Sequence, residues 1–300
     1  MKIIQTQHLS KVYKNGSGIT DINFTLEQGE ICGLIGKNGA GKSTLFKCLA
    51  GRTAATEGSF QLFESSNLTG KRHKMSFLIE TPAFFDDFTA TQNLEYFRRQ
   101  RGITNQNRVA EVIEIVGLSD ARKKIFAEYS LGMQQRLGIA LALLASPDCL
   151  VLDEPINGLD AQGINDFRRL LKRLNQEQQI TILISSHILA ELELLANRFV
   201  FLHQGKLVED LSQADLLTKT RKSLQLQVDN PSQAVQILER SYSDIRYQVL
   251  PDNWLVLENH LEESGTINRL LSQGNITVEE MHKSGGSLED YFLDLVEEEK

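Results

Sequence analysis

The sequence predicts an α/β fold: a mainly parallel sheet with an antiparallel edge, flanked by helices, broken by a helical insertion and followed by a small α+β domain. Three observations carry this. The apolar run Ile31-Cys32-Gly33-Leu34-Ile35 leads through a glycine-rich loop into the helical run Leu45–Ala50, which stops at Gly51 like a helix with a glycine C-cap. Two further runs, ending at Asp153 and at Ile184, are short and continuously apolar, as strands covered on both faces are. After Thr218 the pattern changes to shorter alternating and helical segments.

Composition narrows the classes of function. Hydrophobic residues make up 41% and charged residues 24% of the 300, ordinary for a globular protein. A net charge of −7 lacks the basic footprint of a nucleic-acid binder, so no nucleic-acid partner is expected. Cys32, Cys48 and Cys149 are far apart in apolar runs, which reads as buried thiols in a reducing compartment. The N-terminal residues show no signal-peptide core, and no run reaches the roughly 20 apolar residues of a spanning helix. Work at a membrane would require another chain to span it.

The loop at 36–44, Gly36-Lys37-Asn38-Gly39-Ala40-Gly41-Lys42-Ser43-Thr44, fits the Walker A phosphate loop, in the strand–loop–helix context that the motif needs. Its glycines let backbone N–H groups close around phosphate oxygens, and the helix N-terminus adds positive charge. Lys42 reaches the β- and γ-phosphates, and the Ser43 hydroxyl can ligate Mg²⁺. Cys149-Leu150-Val151-Leu152-Asp153-Glu154-Pro155 has the Walker B pattern, with Asp153 a second Mg²⁺ ligand and Glu154 a general base for the attacking water. The strand Ile180–Ile184 leads to Ser185-Ser186-His187, where His187 stands past a carboxyl end, the place where ligands bind in open α/β sheets.

Between the Walker motifs lies Tyr129-Ser130-Leu131-Gly132-Met133-Gln134-Gln135-Arg136. It resembles the Leu-Ser-Gly-Gly-Gln signature of ATP-binding cassette (ABC) transporter subunits, keeping Ser130, Gly132, Gln135 and Arg136. It departs at Tyr129, Leu131 and Met133, where the family has Leu, Gly and Gln. Ser130 can N-cap a helix over about residues 131–145, whose bare amides make an anion site. The resemblance extends over about residues 1–215. It implies that Tyr13 stacks on adenine, that Ser130 and Gly132 grip the γ-phosphate of ATP on an opposite subunit, and that Asp160 lies in the D-loop crossing a dimer interface. It also implies ATP and Mg²⁺ as cofactors and an ATP-dependent homodimer. The expected setting is the cytoplasmic face of a membrane, beside a separately encoded integral permease.

Where most of the family has Gln, this chain has Glu80, a further candidate Mg²⁺ ligand. Glu80, Pro82-Ala83-Phe84 and the altered signature resemble bacterial exporters of the bacitracin and lantibiotic type. The reading is therefore an Mg-dependent ATPase that energises export of a peptide antibiotic or drug-like compound. Its alternatives are a soluble ABC ATPase acting on ribosomes or DNA, and a nucleotide-gated module that no longer hydrolyses.

The expected domains are residues 1–218 for the nucleotide-binding part, with a helical insertion over about 81–146, and residues 219–300 for the appendage. The N-terminal strands are expected to supply the antiparallel edge, and Phe199–Val208 a closing hairpin. Phe84, Phe85, Phe88 and Phe97 are read mostly as insertion core, in a neighbourhood that would meet a permease. The appendage is expected as strand 223–228, helix 231–241, strand 253–257, helix 266–272, strand 275–278 and a final helix from Leu288, opened by a capping box at Ser287. It shows no chemistry.

Overall fold

The computed structural model describes residues 1–79 and 83–298. They divide into two compact units, Met1–Gln213 and Ala214–Lys300. The elements of the first unit are β1 (Lys2–Val12), β2 (Gly18–Ile22), β3 (Thr25–Glu27), β4 (Ile31–Ile35), α1 (Lys42–Leu49), β5 (Glu57–Leu62), α2 (Leu68–Arg72), β6 (Met75–Leu78), α3 (Ala90–Gln100), α4 (Arg108–Ile115), α5 (Leu131–Leu143), β7 (Cys149–Asp153), α6 (Ala161–Gln178), β8 (Thr181–Ser185), α7 (Leu189–Leu195), β9 (Arg198–His203) and β10 (Lys206–Ser212).

A six-stranded sheet in the order β10-β9-β4-β8-β7-β6 forms the centre of this unit. Its β9, β4, β8, β7 and β6 run parallel, and their residues are buried almost without a break, as helices on both faces demand. The antiparallel edge is β10, paired to β9 through a two-residue turn at Gln204 and Gly205, both with positive φ. The N-terminal strands do not supply that edge. β1 instead pairs with β2, β3 and β5 in an antiparallel sheet of its own. It can serve three partners because it is long and its register shifts near His8, whose φ is +49°.

α1 ends in the two reverse hydrogen bonds of a Schellman motif, Arg52 N–H to the Lys47 carbonyl and Gly51 N–H to that of Cys48. α6 buries Phe167, Leu170, Leu171 and Leu174, one stripe at helical spacing. In the insertion, Thr89 and Gln92 close a capping box at the start of α3. Phe84 packs on Phe97 and Phe126 with ring centroids 5.9 and 5.0 Å apart, partly buried as expected. Phe85 and Phe88 are a correction: their rings pack on each other, Phe85 also meets Tyr96 edge-on, and all three stay exposed.

The second unit comprises α8 (Gln213–Lys219), β11 (Ser223–Val228), α9 (Pro231–Ser241), β12 (Tyr247–Leu250), β13 (Trp254–Leu257), α10 (Ser264–Gln273), β14 (Val278–Ser284) and α11 (Leu288–Glu298). The division falls five residues before the expected one. α8 is followed by Thr220, whose hydroxyl returns to the Leu216 carbonyl and whose own carbonyl accepts the Gly286 N–H. From β11 to β14 the chain order is βαββαβ and the sheet order β12-β13-β11-β14, all antiparallel. Leu224, Leu226, Val228, Leu255 and Leu257 pack there with Ala234 and Leu238 of α9 and Ile267 and Leu271 of α10. The last strand begins at Val278 rather than at residue 275, because Asn275 has left-handed backbone and ends a helix turn.

Candidate functional site

β4 delivers the chain into the phosphate loop, and the loop is held from behind. A Cβ on Gly36 would stand 2.5 Å from the Leu202 carbonyl oxygen of β9, and one on Gly41 2.8 Å from that of Gly18. Their lack of side chains therefore seats the loop against β9 and β2. The Gly205 N–H donates to the Ala40 carbonyl at 2.9 Å, so the β9–β10 turn braces the loop as well. Lys37 to Thr44 line a cleft of about 240 Å³ with Ser17, Gly18 and Glu154. Ser17 and Gly18 escaped the sequence reading; their only signal is the turn-rich Asn15-Gly16-Ser17-Gly18 after Tyr13.

Lys42 is 6% exposed, and its Nζ donates to the Gly36 carbonyl at 2.5 Å. The same Nζ lies 3.3 Å from Glu154 Oε1. Lys42 opens α1 and Glu154 follows β7, so two strands of the sheet bring these distant residues together. Oε1 is buried and takes no hydrogen bond among the described residues, so this is a charge contact without an aligned donor. The other oxygen, Oε2, accepts the His187 backbone N–H at 3.2 Å and meets His187 Nδ1 at 2.7 Å. Glu154 has a φ of +49°, a left-handed conformation uncommon outside glycine.

Ser185, fully buried at the end of β8, connects the two Walker B acids. Its hydroxyl donates to Asp153 Oδ1 at 2.6 Å and accepts the Glu154 N–H at 3.0 Å. The sequence reading assigned it no role, although a small polar residue closing a buried strand was the available signal. Ser43 is exposed beside the cleft. Glu80 lies outside the described residues. No group of three or more His, Cys, Asp or Glu fit to hold a metal occurs among the described residues. Mg²⁺ takes few protein ligands and completes its shell with water and phosphate. The Ser43 hydroxyl at the cleft and the Asp153 carboxylate are oxygen donors of the kind this ion takes, so these residues fit it.

Tyr13 is 37% exposed, with Lys11 Nζ 5.4 Å from its ring centre. It does not line the phosphate cleft. Its neighbours Val12 and Gly16 line an adjoining cleft that shares Ser17, Gly18 and Gly39 with the first. Ser130 and Gly132 are likewise not brought to Lys42. They line a second cleft of about 570 Å³, together with Leu131, Gly158, Leu159 and Asp160. Ser130 caps α5 by accepting the Met133 N–H at 3.4 Å. Asp160 is engaged within its own subunit, as the N-cap of α6, accepting the Gly163 N–H at 2.9 Å.

A phosphate loop between a parallel strand and a helix, a buried lysine and paired acids at the end of β7, two strands along the same sheet, define a P-loop nucleoside triphosphatase. The ABC transporter family matches the chain over residues 19–157. The chain is 39% identical to the bacitracin transport ATP-binding protein BcrA of Bacillus licheniformis, over 98% of this chain and 97% of that protein. It is 37% identical to the lantibiotic transport ATP-binding protein SrtF of Streptococcus pyogenes, over 69% of this chain and 89% of that one. A solved ATP-binding subunit of an ABC transporter superposes with a TM-score of 0.62 at 28% identity, covering 72% of this chain and 92% of its own. The chain belongs to the ABC transporter family and is an ABC-type ATPase.

Proposed function

We propose that this ATPase is the energy-coupling subunit of an exporter. It binds Mg-ATP as a head-to-tail homodimer on the cytoplasmic face of the membrane and drives a separately encoded integral permease that expels a peptide antibiotic of the bacitracin or lantibiotic kind. The observation that carries this is the likeness to the bacitracin transport protein, which runs through the second unit as well as the first. No helix among the described residues is long and apolar enough to cross a membrane, consistent with a partner that does. The exposed aromatics Phe85, Phe88 and Tyr96 on the insertion are the surface we assign to that partner.

The chemistry follows from charge placement. Lys42 exchanges its contact with Glu154 for phosphate oxygens, and the loop amides take the rest of the phosphate charge. Ser43 and Asp153, with Glu80, would hold Mg²⁺, which supplies further positive charge on the phosphates. Glu154 then stands with Oε2 steadied by His187 and Oε1 open to accept a proton from water. His187 Nε2 is the ring nitrogen left to face the phosphate. Tyr13 stacks on the adenine. Ser130 and Gly132 present the amides of α5 to the partner copy's nucleotide, while Asp160 shapes the adjoining loop as a helix cap.

The test is to tag the chain, solubilise native membranes in mild detergent and identify what co-purifies. A stoichiometric polytopic membrane protein is expected; ribosomal or soluble partners alone would overturn the reading. Lys42→Ala serves as the nucleotide-binding control, since it should lose the ATP-induced rise in melting temperature.

A further inference from the structure

Leu131 opens α5 with an apolar side chain left 42% exposed, at a position where the family signature has glycine. Its Cδ2 fills the space beside Gly158. A Cβ on Gly158 would stand 3.0 Å from that atom, and φ there is +78°, so space and backbone both favour glycine. Leu159 returns the contact, with its Cδ2 3.8 Å from a Cβ position on Gly132. Each segment thus offers one leucine knob and one glycine hole to the other. The polar tie at the same turn, from the Met133 N–H to the Ser130 hydroxyl, is long at 3.4 Å. The interlock thus joins the first turn of α5 to this loop, while further along α5 Arg136 pairs with Asp166 of α6 at 2.9 Å.

The loop carrying Gly158 and Leu159 springs directly from the catalytic end of β7. Asn157 N–H donates to the Glu154 carbonyl and Leu159 N–H to the Ile156 carbonyl, each at 3.2 Å. A short, hydrogen-bonded run of chain therefore joins Glu154 in the phosphate cleft to the leucine that grips the signature turn in the second cleft.

We propose that Leu131 is a positioning residue. It locks the first turn of α5 to the Glu154–Leu159 loop, so that the two clefts of one subunit move together. The inference rests on reading the second cleft as the face presented to a partner copy's ATP. Its consequence is a defect in turnover, not in nucleotide affinity, when the interlock is cut.

The test uses the full chain with Leu131→Ala, Leu131→Met, Leu159→Ala and the double alanine variant. Leu131→Ala should lower kcat about tenfold with KM within about twofold, and Leu131→Met should restore most of it. The double alanine variant should be no more than about twofold slower than Leu131→Ala, because both leucines serve one contact. Hydrogen exchange on the nucleotide-free chain should quicken at residues 157–160 as well as 131–134 in Leu131→Ala. Unchanged kcat, a rise in KM alone, multiplying deficits or exchange confined to α5 would each overturn the proposal. The exchange readout needs no permease and no dimer. Failure to find either would remove the export reading and leave this result to stand or fall by itself.

Discussion

Glu154 is held by three contacts of different kinds, and they divide its work. His187 steadies Oε2, Lys42 neutralises Oε1, and the Ser185 hydroxyl fixes the backbone between them. Ser185→Ala removes both the acceptor for the Glu154 N–H and the donor to Asp153. We expect ATP binding to persist and kcat to fall about tenfold or more, of the order of one lost hydrogen bond to a charged group; equal kcat in a steady-state assay would refute this. In the second unit, His260 has Glu263 Oε1 2.9 Å from Nδ1 and Asp244 Oδ1 2.9 Å from Nε2. Only the imidazolium donates to both, and the hydrogen bonds to Glu263 and Asp244 raise its pKa above the ordinary value. The folded state therefore favours the protonated ring. Its stabilisation is complete below about pH 6.5 and is lost as pH rises through the raised folded value. Amides around residues 244–263 should exchange increasingly freely across that rise, beyond the intrinsic pH effect, and His260→Gln should abolish the excess.

Among the elements, α5 shows how a helix end is satisfied by side chains from elsewhere. Arg101 donates to the Leu141 carbonyl, and Arg108 to those of Leu143 and Leu144. These are carbonyls of the last helical turn, that of Leu143 also accepting the Ser146 N–H, and two arginines of the insertion meet both them and the negative end of the dipole. Arg108→Ala should cost about 1–3 kcal/mol by removing the side-chain donor to the Leu144 carbonyl and one of two donors to that of Leu143, measured by chemical denaturation, with Arg108→Lys recovering only part. Helix starts were more legible. Ser287 and Asp290 exchange both hydrogen bonds of the expected capping box, because this motif is spelled within four residues. β12 was missed for the opposite reason. It is a four-residue edge strand whose last three residues are exposed, so its sequence lacks a buried face and only pairing with β13 makes it a strand.

At the scale of the molecule, the phosphate cleft and the second cleft of one subunit share no lining residue. The phosphate cleft contains Lys42 and Glu154, and the second contains Ser130 and Asp160. A complete site by our proposal needs two copies, each lending its second cleft to the other. Glu154→Gln should therefore trap an ATP-dependent dimer on size exclusion, with hydrolysis reduced by about 10²–10⁴. A persistent monomer at saturating Mg-ATP would count against the composite site. The fully buried thiols Cys32 and Cys149, whose pKa values burial pushes up, should meanwhile stay unreactive in the folded chain.

What the sequence determined by itself was local. The phosphate loop, the acids ending β7 and the signature turn are each written in fewer than ten consecutive residues. Their backbone needs, glycine at tight approaches and a cap before a helix, are met by the residues themselves. Which of these motifs would meet was a matter of strand order. Because β8 lies between β4 and β7, His187 and Ser185 come to Glu154, and Lys42 reaches across to it. The grip of Leu131 on Gly158 and the capping of α5 by Arg101 and Arg108 likewise depend on contacts distant along the chain. Such contacts have no local signature: the side chains that form them are chosen by packing, and packing exists only once the sheet and its helices are assembled.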